Sequence, residues 1–212
     1  MELAEVLRRR RMVRAYAPDR AVPADLVDRV CAAALQVPSA GFTQAVSLLV
    51  LTSAEQRRTY WDVTAGAMDA DPVETPSGRL RGRTRWLAGM RTAPVLVLLW
   101  TSQVAYLDRY AEPDKGWTDR DPERWSAPYW FVDGGMAALA MLLAATDTGL
   151  GACFFGVPAA RIGAVRAAFE VPAEQLSVGV VSLGYRVPGA ASGSPARRSR
   201  RSPEELIHRG SW

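Results

Sequence analysis

Trp130-Phe131-Val132-Asp133-Gly134-Gly135-Met136-Ala137-Ala138-Leu139-Ala140-Met141-Leu142-Leu143-Ala144-Ala145-Thr146-Asp147-Thr148 reads as a helix with apolar residues on nearly every face. A helix of that kind must be buried all round. Its smallness is unusual, with Gly134, Gly135, Ala137, Ala138, Ala140, Ala144 and Ala145, and small side chains let another backbone come close. It is expected at the centre of the molecule, or at the centre of a dimer. Gly149-Leu150-Gly151 follows as a C-cap and tight turn.

Working outward, short apolar runs bounded by turns predict buried strands at Val46 to Leu51, Pro94 to Trp100, Ala152 to Gly156 and Leu176 to Tyr185. Pro23 opens a helix on which Leu26, Val27, Val30, Cys31, Ala34 and Leu35 recur at helical spacing until Pro38 stops it. Pro158 starts another, which ends before Pro172. Leu3, Val6 and Leu7 mark a short first helix, and a turn follows at Tyr16-Ala17-Pro18-Asp19. Ser202-Pro203-Glu204-Glu205 carries an N-cap, a proline at the first helical position and a capping-box glutamate, so a short helix is expected there. No repeat or linker divides these elements, and residues 1–212 are expected to form one domain of mixed helix and sheet. Two long connections, at about residues 53–92 and 102–129, carry Tyr60, Trp61, Trp86, Tyr106, Tyr110, Trp117, Trp125 and Tyr129. Those rings either line a pocket for a flat apolar ligand or pack against the sheet.

At 212 residues, 49% hydrophobic and 23% charged, the chain can bury a core, which excludes a disordered or fibrous protein. Its longest proline-free apolar run, Gly134 to Ala145, has 12 residues. A membrane span needs roughly 18 or more, so a soluble protein with no membrane partner is expected. The start Met1-Glu2-Leu3-Ala4-Glu5 lacks the order of a secretion signal, and Cys31 and Cys153 make no disulfide framework, so a cytoplasmic address is expected.

Charge is informative once divided along the chain. The net charge of +4 includes nine arginines in two short stretches: Arg8, Arg9, Arg10, Arg11 and Arg14 near the start, and Arg197, Arg198, Arg200 and Arg201 near the end. The remainder holds 17 basic and 22 acidic residues, a balance of −5. Such clustering suggests that one or both ends of the chain meet an anion, because guanidinium grips phosphate with two hydrogen bonds at once, the other reading, open for the C-terminal cluster, being a solvated basic tail. The acidic remainder would repel a long polyanion, so nucleic acid is not the expected partner.

With one histidine, His208, and no Cys-x-x-Cys pair, clustered histidine metal sites and two-imidazole centres are excluded. An enzyme with so few nucleophiles and bases would depend on a bound cofactor.

Four segments name that cofactor by resemblance. They are Arg10-Arg11-Met12-Val13-Arg14-Ala15-Tyr16, then Val37-Pro38-Ser39-Ala40-Gly41-Phe42-Thr43-Gln44, then Tyr129 to Gly135 continuing through Gly149 to Gly156, and last Ser182 to Tyr185 with Arg200 to Trp212. In order and spacing they resemble the FMN-dependent nitroreductase family. The resemblance implies an α+β fold with a central mixed sheet flanked by helices, and an intertwined homodimer with FMN at its interface. It implies that Arg10, Arg11 and Arg14, joined by Arg200 and Arg201, hold the phosphate and the polar edge of the flavin. Met12, Pro38, Ser39, Ala40 and Phe42 would border the flavin, with Gly41 allowing backbone approach. Phe154, Phe155 and Gly156 would pass its other face or edge. The implied reaction takes hydride from NADH or NADPH and delivers electrons to an electron-poor acceptor such as a nitroaromatic, quinone or enone. No protein nucleophile is implied, since the flavin carries the chemistry, and without a Rossmann fingerprint the pyridine nucleotide would be a transient donor.

Three positions depart from the family's pattern: Met12 where a serine is common, Phe42 where an asparagine is usual, and Ala45 where a proline often follows the glutamine. Losing the serine and the asparagine would remove two polar contacts and weaken flavin binding; alternatively Phe42 would offer a stacking surface, pointing to a specialised acceptor or to a dehydrogenase or oxidase that uses oxygen. A relative that binds flavin without catalysis is the other alternative.

Overall fold

The computed structural model describes residues 1–64, 81–189 and 199–212. In chain order the helices are α1 (Leu3–Arg9), α2 (Ala24–Leu35), α3 (Ala54–Thr64), α4 (Arg81–Arg91), α5 (Gln103–Ala111), α6 (Tyr129–Asp147) and α7 (Ile162–Ala168). The strands are β1 (Ser47–Leu51), β2 (Val95–Ser102), β3 (Gly151–Phe155) and β4 (Gln175–Gly184), in the sheet order β1-β2-β4-β3. This is the expected α+β architecture. The four strands pair antiparallel throughout, and among the described residues parallel pairing enters only at the margin, where Met12 bridges Ala152 beside β3.

β2 explains the layering. All eight of its residues are buried, and alternate side chains leave opposite faces of the pleat. Val95, Val97 and Leu99 meet Val27, Val30 and Ala34 of α2 and Ala137, Met141 and Ala145 of α6. Leu96, Leu98 and Trp100 meet Tyr60, Trp61, Leu87, Met90 and Val165. The strand therefore reads as an unbroken apolar run because both its faces are covered.

α6 lies against the sheet as its small residues predict: a Cβ on Gly134 would meet Val178 Cγ2 at 2.7 Å. Its end is a Schellman motif, with Gly149 at φ +78°, Gly149 N–H donating to Thr146 O at 3.2 Å and Leu150 N–H to Ala145 O at 2.7 Å. The expectation of burial on every side is corrected. α2 and the sheet cover one face, while Val132 (44% exposed), Gly135 and Leu139 (48% exposed) form a bare stripe on the other.

The aromatic-rich connection at 53–92 contains α3 and α4, with residues 65–80 outside the described part. Trp61 stacks on Phe155 with centroids 6.0 Å apart and Trp86 meets the same ring edge-on, so these rings are core. The other connection contains α5. At the C-terminal end Ser202 Oγ accepts from Glu205 N–H at 3.4 Å, so the cap forms, yet only a single turn follows instead of a helix. Pro203 to Ile207 are all exposed, and short helices without packing are marginal.

Cys31, on α2, is a free, half-buried thiol. Burial, aided by nearby Asp28, pushes its pKa up from near 9 to about 11. The folded chain then holds the thiol proton longer than the unfolded chain does, so the associated stability is full below pH 9 and is lost as pH rises towards 11. Urea midpoints of wild type and Cys31→Ala should accordingly converge between pH 8 and pH 11, with wild type falling faster.

Candidate functional site

The turn after α2 is tightly built. Pro38 cannot continue a helix, and beyond it Gly41 (φ +63°), Phe42 (+57°) and Gln44 (+54°) all sit in the left-handed region. Glycine tolerates that conformation; for Phe42 and Gln44 it costs of order 1–3 kcal/mol each and persists only where surroundings impose it. Internally, Phe42 N–H donates to Ser39 O at 2.9 Å, Gln44 N–H to Ser39 Oγ at 3.0 Å and Thr43 Oγ1 to Ala40 O at 2.6 Å.

Three outside contacts complete the constraint. Ala40 N–H donates to Asp133 Oδ2 of α6 at 2.9 Å. Arg109 Nε of α5 donates to Gly41 O at 2.8 Å, while its two terminal nitrogens hold Asp114 at 2.7 Å each. Gly41 also lies on Tyr110, where a Cβ would come within 2.7 Å of Cε2. Asp133 is 2% exposed and accepts a second, short hydrogen bond from Tyr106 Oη on the same oxygen. Burial and this bond raise the Tyr106 pKa, so the phenol stays a donor and two donors serve one buried carboxylate oxygen. Phe42, by contrast, is 73% exposed.

The arginine segment lies elsewhere. Val13 N–H donates to Ala152 O at 2.8 Å, and Tyr16, buried, bonds through its hydroxyl to Val13 O and Ser182 Oγ at 2.7 Å. These contacts set Arg10, Arg11, Met12 and Arg14 beside the start of β3. Arg11 folds back onto the Arg8 and Arg10 carbonyls, and Arg14 makes one long contact, 3.5 Å, to Met12 O. Arg201 pairs with Glu205 at 3.0 Å inside an exposed C-terminal arm that also carries Arg200; Arg197 and Arg198 fall outside the described residues.

Further along β3, Phe154 packs on the α2 and α6 side of the sheet and Phe155 on the opposite side. Phe155 is buried and Phe154 half-buried in these clusters, so much of what this strand offers a ligand is backbone. Gly156 follows it into open space, where a Cβ would meet nothing within 4 Å.

The structure thus joins the expected residues into two groups without uniting them. The turn meets α6 at Asp133, whereas the arginine segment meets β3 just past the other end of that helix. The fourteen helical steps from Asp133 to Asp147 span about 21 Å. Sequence reading missed Asp133, Tyr106, Arg109 and Tyr110. The usable signal was Asp133 itself, a carboxylate within an apolar helix. Beside them Tyr110, Trp117 and Trp125 pack ring to ring at 4.4–5.4 Å, and Trp125 and Trp130 line an open recess of about 320 Å³ with Gln103, Pro122 and Glu123.

A relative from Methanothermobacter thermautotrophicus, which carries the provisional name NADH dehydrogenase/NAD(P)H nitroreductase, is 26% identical over 214 residues, covering 100% of this chain and 88% of its own. The fold matches a nitroreductase from Bacteroides fragilis solved with bound FMN (TM-score 0.66, 20% identity, 99% of this chain and 100% of that one). It also matches a provisionally named nitroreductase from Desulfovibrio desulfuricans in complex with FMN (TM-score 0.69, 21% identity, 100% and 98%). The profile described as the nitroreductase family matches residues 7–185, taking in the arginine segment, the strained turn, α6 and all of the sheet, and the chain belongs to that family of oxidoreductases.

Proposed function

We propose that the chain is an FMN-dependent oxidoreductase, acting as a homodimer, that takes hydride from NADH or NADPH and passes electrons to an electron-poor acceptor such as a nitroaromatic, quinone or enone. One observation carries this reading. The arginine segment and the Pro38 to Gln44 turn lie at opposite ends of α6, and the stripe of Val132, Gly135 and Leu139 between them is apolar and uncovered. A second copy laid along that stripe would bring one copy's arginines to the other copy's turn. Leu206, Ile207 and Trp212 on the C-terminal arm are also exposed, which supports an arm that reaches a partner.

The residues fit the cofactor found in the relatives. Arg10, Arg11 and Arg14, with Arg200 and Arg201 arriving on the arm, supply guanidinium groups for a phosphate and for the polar edge of a flavin. Met12, Pro38, Ser39, Ala40 and Phe42 would pack on its ring, and Phe154, Phe155 and Gly156 would border it with backbone, the space beyond Gly156 being open. When bound, FMN supplies a ring that takes up and releases hydride. The chain's part is to orient donor and acceptor over one face, exclude water with apolar walls, and favour added electron density with fixed positive charge. A cytoplasmic address goes with this reading, Cys31 and Cys153 both being free thiols.

The test is the visible spectrum of purified protein, its bleaching by NADPH or NADH without oxygen, and its recovery on adding each acceptor, oxygen included. A yellow dimer bleached by either nucleotide is expected. Colourless protein that cannot be loaded with FMN would overturn the proposal.

A further inference from the structure

The turn from Ser39 to Gln44 is strained despite its internal hydrogen bonds. Phe42 and Gln44 both occupy the left-handed region, and an exposed turn with that backbone relaxes unless neighbours fix it. Two neighbours do so from different elements. Asp133 of α6 binds the Ala40 amide at the turn's entry, and Arg109 of α5 binds the Gly41 carbonyl at its apex. Each is itself held: Asp133 by Tyr106, and Arg109 by Asp114 with Glu112 at 3.0 Å. The two donors on Asp133 converge on one oxygen at a 2%-exposed position, an arrangement with little tolerance for a change of geometry.

Resting on the function proposed above, we infer that Asp133 and Arg109 are positioning residues for flavin binding, acting through the turn rather than by touching the flavin. The turn arrives at the ring already shaped, so binding need not spend free energy on ordering it. The aromatic-rich segment around α5 is thereby tied to the turn through Arg109, through Tyr106 on Asp133 and through Tyr110 against Gly41.

FMN itself is the probe, titrated into apoprotein and followed by quenching of flavin fluorescence, with visible circular dichroism of the bound flavin and the apoprotein melting temperature measured alongside. Asp133→Ala is expected to raise the FMN dissociation constant at least tenfold. Asp133→Asn, which keeps an acceptor oxygen for both donors, should raise it less, and Arg109→Leu about threefold or more. The bound flavin's dichroism should change in each variant. A dissociation constant within twofold of wild type in Asp133→Ala, with an unchanged dichroism band, would overturn the inference even if the melting temperature falls, because that is the pattern of a purely structural carboxylate. Should Asp133→Ala fail to fold, Asp133→Asn and Arg109→Leu decide, and unchanged affinity in both overturns it. Wild-type protein that binds no FMN sinks the functional reading and this inference together; wild type that binds FMN no better than the variants sinks the inference alone.

Discussion

Gly89→Ala is expected to destabilise the protein by about 3 kcal/mol, the upper part of the range for overpacking a tight contact. A Cβ at Gly89 would lie inside the van der Waals envelope of the Arg14 carbonyl oxygen and 3.2 Å from its carbonyl carbon. The obstacle is backbone, so no rotamer change relieves it. Nor can that backbone yield easily. Val13 is bonded to Ala152, the Tyr16 hydroxyl to Val13 and Ser182, and Tyr16 N–H to Thr92 Oγ1 at 3.0 Å. α4 must move instead, taking Leu87 and Met90 out of the core they help to fill. For a chain of this size each kcal/mol shifts the melting temperature by roughly 2–4 °C, so a fall of about 6–12 °C is expected by calorimetry. Gly163→Ala in α7 is the control: its Cβ meets nothing within 4 Å, and the helix should gain up to about 1 kcal/mol.

The other large effect concerns ligand affinity. Replacing Arg10 and Arg14 together with methionine should weaken FMN binding by about 100- to 10,000-fold, taking about 1.5–3 kcal/mol for each hydrogen bond to a charged group. Methionine keeps much of the side-chain bulk, and neither guanidinium is part of the buried core, so the melting temperature of the apoprotein should hardly change. The wild-type affinity should fall with added salt, and that of the double variant should fall less steeply. Equal affinities at low salt would show that the phosphate is held elsewhere.

How much of this was legible in the sequence depended on whether the signal was local. α6, β2 and β4 announce themselves because burial on one or both faces writes an apolar pattern into consecutive residues. α3 and α4 did not, since both are polar in composition, α3 burying only a narrow stripe of Tyr60, Trp61 and Thr64. The turn after Pro38 was visible as a turn, but its strain was not: the left-handed Phe42 and Gln44 are imposed by residues about 65 to 90 positions away. Asp133 was in plain view, yet its role required knowing that α6 would deliver it, dry, to the Ala40 amide. The Ser202 to Glu205 signal formed its cap without a helix, because capping selects a start and only packing sustains further turns.

β3 is one of the two edge strands of the sheet, and the stretch that begins at Met12 bridges to Ala152 beside its start and, at Tyr16, to Arg186 past β4. An uncovered flank of this kind is a template on which foreign chains add and fibrils grow. The short run of backbone that presents the cationic side chains is also the bolt that shuts this flank, so attraction for a ligand and resistance to clumping are constrained to change together.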